Sequence, residues 1–179
     1  MTASLSAPEA VDVTSEEFRR VLGHYPTGVT VVTARDADGG PVGMTIGSFT
    51  SISLEPALVG FFVARTSSTF PAIRDFGSFC VNVVADGQYE LCTRFAGPAA
   101  ARFQWLDWSE APSGSPVIED AVAWIDCATE RVDDAGDHLL VVGRVTALHA
   151  EPRRRPLLFF RGGLGAFAPL PGTDRGGAR

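Results

Sequence analysis

The chain has 179 residues, of which 45% are hydrophobic, and a formal net charge of −6. This length fits one domain with a sizeable core, and the acidic balance argues against a general nucleic-acid binder. No apolar run approaches the roughly 20 residues needed to span a bilayer, and the start lacks the basic and apolar regions of a signal peptide. We therefore expect a cytoplasmic protein.

A leader followed by one helix is expected at the start of the chain. Residues 1–13 are small and acidic, which predicts a flexible leader. Thr14 or Ser15 is a candidate helix cap, and the helix should extend to about His24 before Pro26 stops it. The apolar stripe of this helix consists of Phe18, Val21 and Leu22.

Strand signals dominate the rest of the chain. Residues 29–34 and 43–54 flank the turn-forming segment 36–40, which predicts a hairpin. Further elements are expected in order: a strand at 57–64, a short helix near 70–76, a strand at 78–84, a short helix at 88–95, a loop at 98–115, strands at 121–132, 138–150 and 157–161, and a disordered tail at 171–179. Antiparallel hairpins with few helices predict a mainly β fold, a β-barrel, in one domain at 14–170.

The segment 43–54, with the sequence GMTIGSFTSISL, is the most unusual of these strands. Most of its even-numbered residues are apolar, namely Met44, Ile46, Ile52 and Leu54, as expected for a row that faces the core. Its odd-numbered residues are mostly small and polar, and glycine inside a strand often marks close approach of a ligand or of another backbone. Two interpretations stay open here, a ligand-binding face and an exposed strand whose hydroxyls face water.

A second group of hydroxyls, Thr-Ser-Ser-Thr at 66–69, comes directly before the helix predicted near 70–76. Unpaired N–H groups at a helix N-terminus can bind phosphate, and Arg65 beside them could add a charge-assisted bond. Ordinary helix capping needs only one such hydroxyl. The segment therefore leaves phosphate binding and simple capping as alternatives.

Several common sites are missing from the sequence. There is no Gly-x-Gly-x-x-Gly after a strand and no P-loop motif. His24, His138 and His149 lack metal-ligand spacing, and the three cysteines form no Cys-x-x-Cys. The basic run at 153–155 is short enough to be a solvated turn. We expect neither metal chemistry nor classical hydrolase chemistry.

Several motifs follow one another in a recognisable order. They are FRRVLGHYPTGVTVVT from Phe18, GMTIGSFTSISLEP from Gly43, FCVNVVADGQ from Phe79, GSPVIE from Gly114, GDH from Gly136 and PLLFFRG from Pro156. As an ordered set covering residues 18–167, they resemble the flavin reductase family, the small components that supply reduced flavin to two-component monooxygenases.

The resemblance implies an antiparallel, Greek-key-like split β-barrel that forms a homodimer and binds FMN or FAD near the dimer interface. The positions that match family residues along the isoalloxazine ring are Val42, Gly43, Met44, Thr45, Gly47 and Ser48. Those that match the ribityl and phosphate contacts are Phe62, Val63, Ala64, Ser67, Thr69 and Phe70. Phe95 and Ala96 would close around the cofactor.

The resemblance also implies a site for the nicotinamide nucleotide. The matching positions are His138, Phe160, Arg161 and Gly162. The chain departs from the family pattern at Gly47, where a polar residue is common, and at Leu164, where tyrosine is common. Simpler roles stay open for four residues, a solvent-facing position for His138 and core positions for Val42, Phe62 and Phe95.

The function implied is an NAD(P)H:flavin oxidoreductase that passes hydride from NADH or NADPH to FMN or FAD and supplies reduced flavin to a partner monooxygenase. No catalytic side chain is required, because the cofactor carries the chemistry. Two alternatives remain, a flavoprotein that keeps its flavin and acts on its own substrate, and a non-catalytic flavin or haem binder on the same fold. The lack of a strong basic cluster near the nucleotide motifs favours NADH over NADPH.

Overall fold

The computed structural model describes residues 12–172. Within them the helices are α1 (Ser15–Leu22), α2 (Phe70–Phe76) and α3 (Glu90–Ala96). The strands are β1 (Thr27–Gly28), β2 (Thr30–Arg35), β3 (Pro41–Ile46), β4 (Thr50–Leu54), β5 (Ala57–Ala64), β6 (Ser78–Val83), β7 (Trp108–Glu110), β8 (Pro116–Ile118), β9 (Ala123–Ala135), β10 (His138–Ala150), β11 (Leu157–Phe160) and β12 (Gly163–Ala166). This mainly antiparallel β content with short helices confirms the predicted fold class. Most of the predicted leader, 1–11, and of the predicted tail, 173–179, lies outside the described residues.

Seven strands form one antiparallel sheet in the order β3-β2-β6-β9-β10-β5-β4. Because residues 47–49 alone join its two edge strands, β3 and β4, the sheet has to curl until these edges approach each other. Ser48, in the turn between these strands, is attached to β5, since its Oγ accepts a hydrogen bond from the Phe62 N–H at 2.9 Å and donates to the Phe62 carbonyl at 3.1 Å. A three-stranded sheet, β1-β11-β12, and the β7–β8 hairpin complete an incompletely closed barrel.

Strand β2 is buried on both of its faces. Val32 and Ala34 pack in one cluster with Phe70 and Ile73 of α2, whereas Val31 belongs to a second cluster. That second cluster contains Val29, Val84, Leu91, Phe95, Ile118 and Leu157. Burial on both faces explains why residues 29–34 form a continuous apolar and β-branched run instead of an alternating one.

The single strand predicted at 43–54 is wrong, because the segment contains two strands with different partners. β3 pairs with β2, whereas β4 pairs with β5 on the opposite edge of the sheet. The predicted core row holds for Met44 and Ile46, which are buried, but Ile52 is 44% exposed and Leu54 is 95% exposed. The chain changes partner at the turn 47–49, so the alternation established in β3 does not continue into β4.

Four short strands, β1, β7, β8 and β12, were missed by the pattern of apolar residues. The loop predicted at 98–115 contains β7, and the β7–β8 hairpin is held by buried polar groups: the Ile118 N–H donates to Asn82 Oδ1 at 2.8 Å, and Thr33 Oγ1 donates to the Pro116 carbonyl at 2.5 Å. The strand β12, with the sequence GLGA, carries no β-branched residue that could have signalled it.

Candidate functional site

A cavity of about 1010 Å³ opens between α1, the turn that follows β3, and the β11–β12 turn. Its volume is at the upper end of the range of about 300–1,000 Å³ that small-molecule sites occupy. Gly47 and Ser48 of the predicted flavin group line it, and so do Arg161 and Gly162 of the predicted nucleotide group. The fold therefore brings together parts of two groups that are far apart in the sequence.

Helix α1 forms one wall of this cavity. Thr14 caps the helix, since its Oγ1 accepts a hydrogen bond from the Glu17 N–H at 3.2 Å. No residue of α1 is buried, and Phe18 and Leu22 of its apolar stripe line the cavity instead of the core. The end of α1 is attached to the β11–β12 turn, because the Arg161 N–H donates to the Gly23 carbonyl at 3.0 Å.

The charged residues that line the cavity are all cationic. Arg19 and Arg20 come from α1 and Arg161 from the β11–β12 turn, and no Asp or Glu within residues 12–172 lines the cavity. Arg20 Nη2 lies 3.7 Å from Glu17 Oε1, and the two side chains form a loose and exposed ion pair. Aromatic rings of Phe18, Tyr25, Phe49 and Phe159 share the wall. Apolar rings beside guanidinium groups suit a ligand that has both flat rings and phosphates.

Gly47 leaves open space at the cavity wall. A Cβ placed on it would have one neighbour within 4 Å, Thr27 Oγ1 at 3.4 Å, which is an ordinary van der Waals distance. A side chain at this position is therefore permitted by the protein and would extend where a ligand could lie. Ser48 is engaged differently, because its hydroxyl is bonded to the Phe62 backbone and ties two predicted flavin segments together.

Gly43 is required by packing within the protein. A Cβ on Gly43 would lie 2.9 Å from Phe95 Cε1 and 3.2 Å from Thr33 Cγ2. Phe95 is only 2% exposed and stacks edge-to-face on Phe103 at 5.3 Å. In the structure Phe95 thus acts as a core residue that locks α3 onto β3, and the neighbouring Ala96 is exposed.

The other residues of β3 vary in accessibility. Val42 is partly buried against the core and Met44 is buried. Thr45 is partly buried, and its Oγ1 has no hydrogen-bond partner within the part of the chain that the structure describes. A buried hydroxyl without a partner is uncommon in native proteins. Their contacts with a flavin stay predictions.

The predicted ribityl and phosphate group lies on β5 and at the start of α2. Val63 and Phe70 are buried in the core, Ala64 is partly buried, and the Phe62 side chain is 41% exposed. Ser67 Oγ accepts a hydrogen bond from the Phe70 N–H at 3.2 Å, whereas the N-cap of α2, Thr69, makes no side-chain capping bond. Thr69 Oγ1 accepts a hydrogen bond from Arg102 Nη1 at 2.7 Å.

Arg102 joins the elements of the predicted flavin site, although the sequence did not point to it. Its Nη1 also donates to the Gly43 carbonyl at 2.8 Å, and its Nε donates to the Gly97 carbonyl at 3.1 Å. The one signal in the sequence is an arginine directly after three alanines. Arg65, the cation expected here, is turned away: it pairs with Asp134 at 2.5 Å and with the Gly136 carbonyl at 2.9 Å.

His138 lies at the start of β10, directly opposite Ala64 of β5. Its Nδ1 is 2.7 Å from Asp137 Oδ1. The hydrogen bond with His138 is the main cause that lowers the pKa of the Asp137 carboxyl. Phe160 is the remaining predicted nucleotide residue. Its ring packs edge-to-face with the His24 ring, and the two ring centroids are 6.4 Å apart.

Residues 12–172 contain neither a cluster of metal ligands nor a membrane-spanning helix. No group of three or more His, Cys, Asp or Glu side chains there could hold a metal ion. None of the helices in this range is long and apolar enough to cross a membrane.

Comparison with known proteins gave one family match and many similar chains. The family described as flavin reductase like domain matches residues 22–168. A flavin reductase of Pseudomonas putida is 50% identical over 153 residues, covering 86% of this chain and 90% of that protein. The reductase subunit HsaB of a flavin-dependent monooxygenase from Rhodococcus jostii is 47% identical over 156 residues, covering 87% of this chain and 78% of its own length.

A solved structure agrees in fold with this chain. The NADH:FAD oxidoreductase SgcE6 of Streptomyces globisporus superimposes with a TM-score of 0.82 and 38% identity, covering 92% of this chain and 100% of that one. The same protein was solved in complex with NAD and FAD fragments, with a TM-score of 0.81 and 38% identity over 89% of this chain and 94% of that one. This agreement confirms the predicted split-barrel fold.

Proposed function

Because this chain belongs to the flavin reductase like family, we propose that it is an NAD(P)H-dependent flavin reductase that supplies reduced flavin to a partner monooxygenase. The family match confirms the resemblance predicted from the ordered motifs. One structural observation carries the proposal: a single cavity is lined by Gly47 and Ser48 and by Arg161 and Gly162. A flavin reductase needs such a shared cavity, because two flat rings have to be held in contact.

The residues present fit a flavin. Gly47 leaves room at the wall, and Phe18, Tyr25 and Phe49 offer flat apolar surfaces beside it. The backbone N–H groups of Gly47 and Ser48 are candidates to donate to the ring edge, where negative charge develops on reduction. When bound, the flavin supplies a ring that accepts hydride from the nicotinamide. Of the predicted flavin residues, Gly47 and Ser48 line this cavity, and those on β3, β5, α2 and α3 lie outside its lining.

The nucleotide is held by the cationic side of the same cavity. Arg161, with Arg19 across from it on α1, provides guanidinium groups for the phosphates, and Gly162 keeps the turn small. His138 stands beside the flavin segment at Ala64, with Asp137 fixing its ring. No side-chain acid or base is needed, so these residues bind and orient, and α1 limits the access of water.

NADH is the proposed donor, on the strength of the similar Streptomyces protein, which is named as an NADH:FAD oxidoreductase. The sequence favoured NADH because no basic cluster lies near the nucleotide motifs, but this reason does not hold in the fold. Arg19, Arg20 and Arg161 come together around the cavity and form such a cluster, so the charges present do not disfavour NADPH.

A homodimer is part of the proposal. Phe18, Val21 and Leu22 of α1 and Phe159, Phe160 and Leu164 of the small sheet are each more than two-fifths exposed. Phe18, Leu22 and Phe159 line the cavity, and a second copy seated on this apolar surface would cover its open side. Light scattering of the purified protein should give the mass of two chains, and a strictly monomeric mass would contradict this part of the proposal.

The direct test is the oxidation of NADH and of NADPH by the purified protein, with FMN and FAD added in turn. The expected result is oxidation that depends on added flavin and saturates with both substrates. An absorbance spectrum of the protein as purified accompanies the assay. A yellow protein that is inert with free flavin and NAD(P)H would instead support a flavoprotein that keeps its cofactor. A rate no higher than the background with both flavins would contradict the proposal.

A further inference from the structure

We infer that Arg102 is the cationic contact for the flavin phosphate and that it couples this contact to strand β3. The inference rests on the proposed function and adds a residue to it. It names the chemistry recognised, a phosphate ester carried by FMN or the diphosphate of FAD.

The hydrogen bonds of Arg102 leave part of its guanidinium free. Nε and Nη1 are used by the carbonyls of Gly97 and Gly43 and by the Thr69 hydroxyl. Nη2 has no hydrogen-bond partner within residues 12–172. A guanidinium presents five N–H donors in a fixed fork, so two donors on Nη2 remain for an anion.

The charge of Arg102 also lacks compensation. The side chain is half-buried, and no carboxylate within the described range pairs with it, whereas Arg35, Arg65 and Arg144 each have one. A partly desolvated charge whose acceptors are all neutral is costly, and a bound anion would remove that cost. The neutral partners of Arg102 fix the position of its guanidinium but do not compensate its positive charge.

The hydroxyls beside Arg102 are free to act as donors. Thr69 Oγ1 accepts from Arg102, which leaves its own O–H proton available. Ser67 Oγ accepts from the Phe70 N–H, and its proton points at a weak acceptor, Met44 Sδ at 3.7 Å. Thr69 Oγ1 contacts the Arg102 guanidinium, and Ser67 lies two residues before Thr69, so this segment offers two hydroxyls beside one guanidinium edge. This is the donor set that a phosphate requires.

Arg65 provides the matched control. It precedes the same hydroxyls in the chain, but its guanidinium is committed to Asp134 and to the Gly136 carbonyl. Arg65 is therefore expected to make no contact with the phosphate, although it lies close to the same segment.

The test compares the dissociation constants of riboflavin, FMN and FAD, measured by quenching of flavin fluorescence without any nicotinamide nucleotide. The proteins are the wild type, Arg102→Ala, Arg102→Gln, Arg102→Lys and Arg65→Ala. Riboflavin lacks the phosphate but keeps the ring and the ribityl chain. The ratio of the riboflavin constant to the FMN constant therefore isolates the phosphate contact from any change in β3 that affects all three ligands.

The wild type is expected to prefer FMN to riboflavin by at least roughly tenfold, as one charge-assisted contact allows. Arg102→Ala and Arg102→Gln should bring the ratio to within about twofold of one, because the charge is lost. Arg102→Lys should retain part of the preference, and Arg65→Ala should keep all of it. If Arg102→Ala does not fold, Arg102→Gln gives the same reading, since its amide can still donate to the Gly43 carbonyl.

The outcomes separate this inference from the proposed function. A wild type that binds FMN and riboflavin equally, or an Arg102→Gln variant with the wild-type ratio, would overturn the inference and leave the flavin reductase proposal standing. A wild type that binds none of the three flavins would overturn both. A preference for FAD over FMN that also disappears with Arg102 would assign the contact to the diphosphate.

Discussion

Gly43 illustrates how a residue can be singled out correctly while its reason is misjudged. The sequence suggested that glycine in this strand lets a ligand approach the backbone, but the space beside Gly43 is filled by Phe95 and Thr33. Gly47 is the glycine with open space. Sequence alone could not separate the two, because both lie in the same small and polar segment and the difference comes from α3, which packs on only one of them.

Gly43→Ala should destabilise the fold. The new Cβ would lie 2.9 Å from the Phe95 ring and 3.1 Å from the Val32 carbonyl, so α3 or β2 has to shift. Overpacking of this kind costs about 1–3 kcal/mol in the free energy of unfolding, which urea denaturation measures. Gly47→Ala is the control and should stay within about 0.5 kcal/mol of wild type. Equal stabilities of the two variants would contradict this packing account.

The cysteines should differ in reactivity. Burial, with the negative charge of Asp126 as a second cause, raises the pKa of the Cys127 thiol to about 12. The same two causes raise the pKa of the Cys80 thiol. Burial also raises the pKa of Cys92, which is only partly buried. The thiolate is the reactive form, so at about pH 8 a disulfide-exchange reagent should modify Cys92 alone in the native protein and all three cysteines after unfolding. Modification of native Cys80 or Cys127 at the rate of a free thiol would show that they are accessible.

Among the elements, the strands with apolar or β-branched runs were predictable and the polar hairpin was not. Residues 29–34, 57–64 and 138–150 matched β2, β5 and β10 closely, because burial of their side chains is what fixes these strands. The β7–β8 hairpin depends instead on Asn82 and Thr33 of neighbouring strands. Such a long-range polar contact leaves no periodic signal in the hairpin itself.

Asn82→Ala should loosen this hairpin. Asn82 is 1% exposed, its Oδ1 accepts the Ile118 N–H, and its Nδ2 donates to the Val31 and Pro116 carbonyls at 3.2 and 3.3 Å. Leaving a buried N–H without an acceptor costs about 1–3 kcal/mol, which should appear in the free energy of unfolding. Ser109→Ala, on the exposed part of β7, serves as the control and should have little effect. Wild-type stability in Asn82→Ala would mean that the hairpin is held by other contacts.

On the scale of the whole molecule, the overall charge and the charge of the cavity have opposite signs. The chain carries a net charge of −6, yet the charged residues that line the cavity are arginines. Composition could predict the first property but not the second, because Arg19 and Arg20 lie near one end of the chain and Arg161 near the other. The chain order of the motifs was enough to predict the family and the fold, whereas the cationic wall and the position of Arg102 required the coordinates.

The central claim, that this cavity is where flavin and nucleotide meet, is tested most directly by filling it. Gly47→Leu places a side chain at the open wall, and Gly87→Leu, at an exposed glycine with nothing within 4 Å of its Cβ position, is the control. Flavin-dependent NADH oxidation should fall by at least roughly tenfold in Gly47→Leu, equivalent to about 1.4 kcal/mol, while the free energy of unfolding stays near that of the control. Full flavin-dependent activity in a folded Gly47→Leu variant would contradict the account.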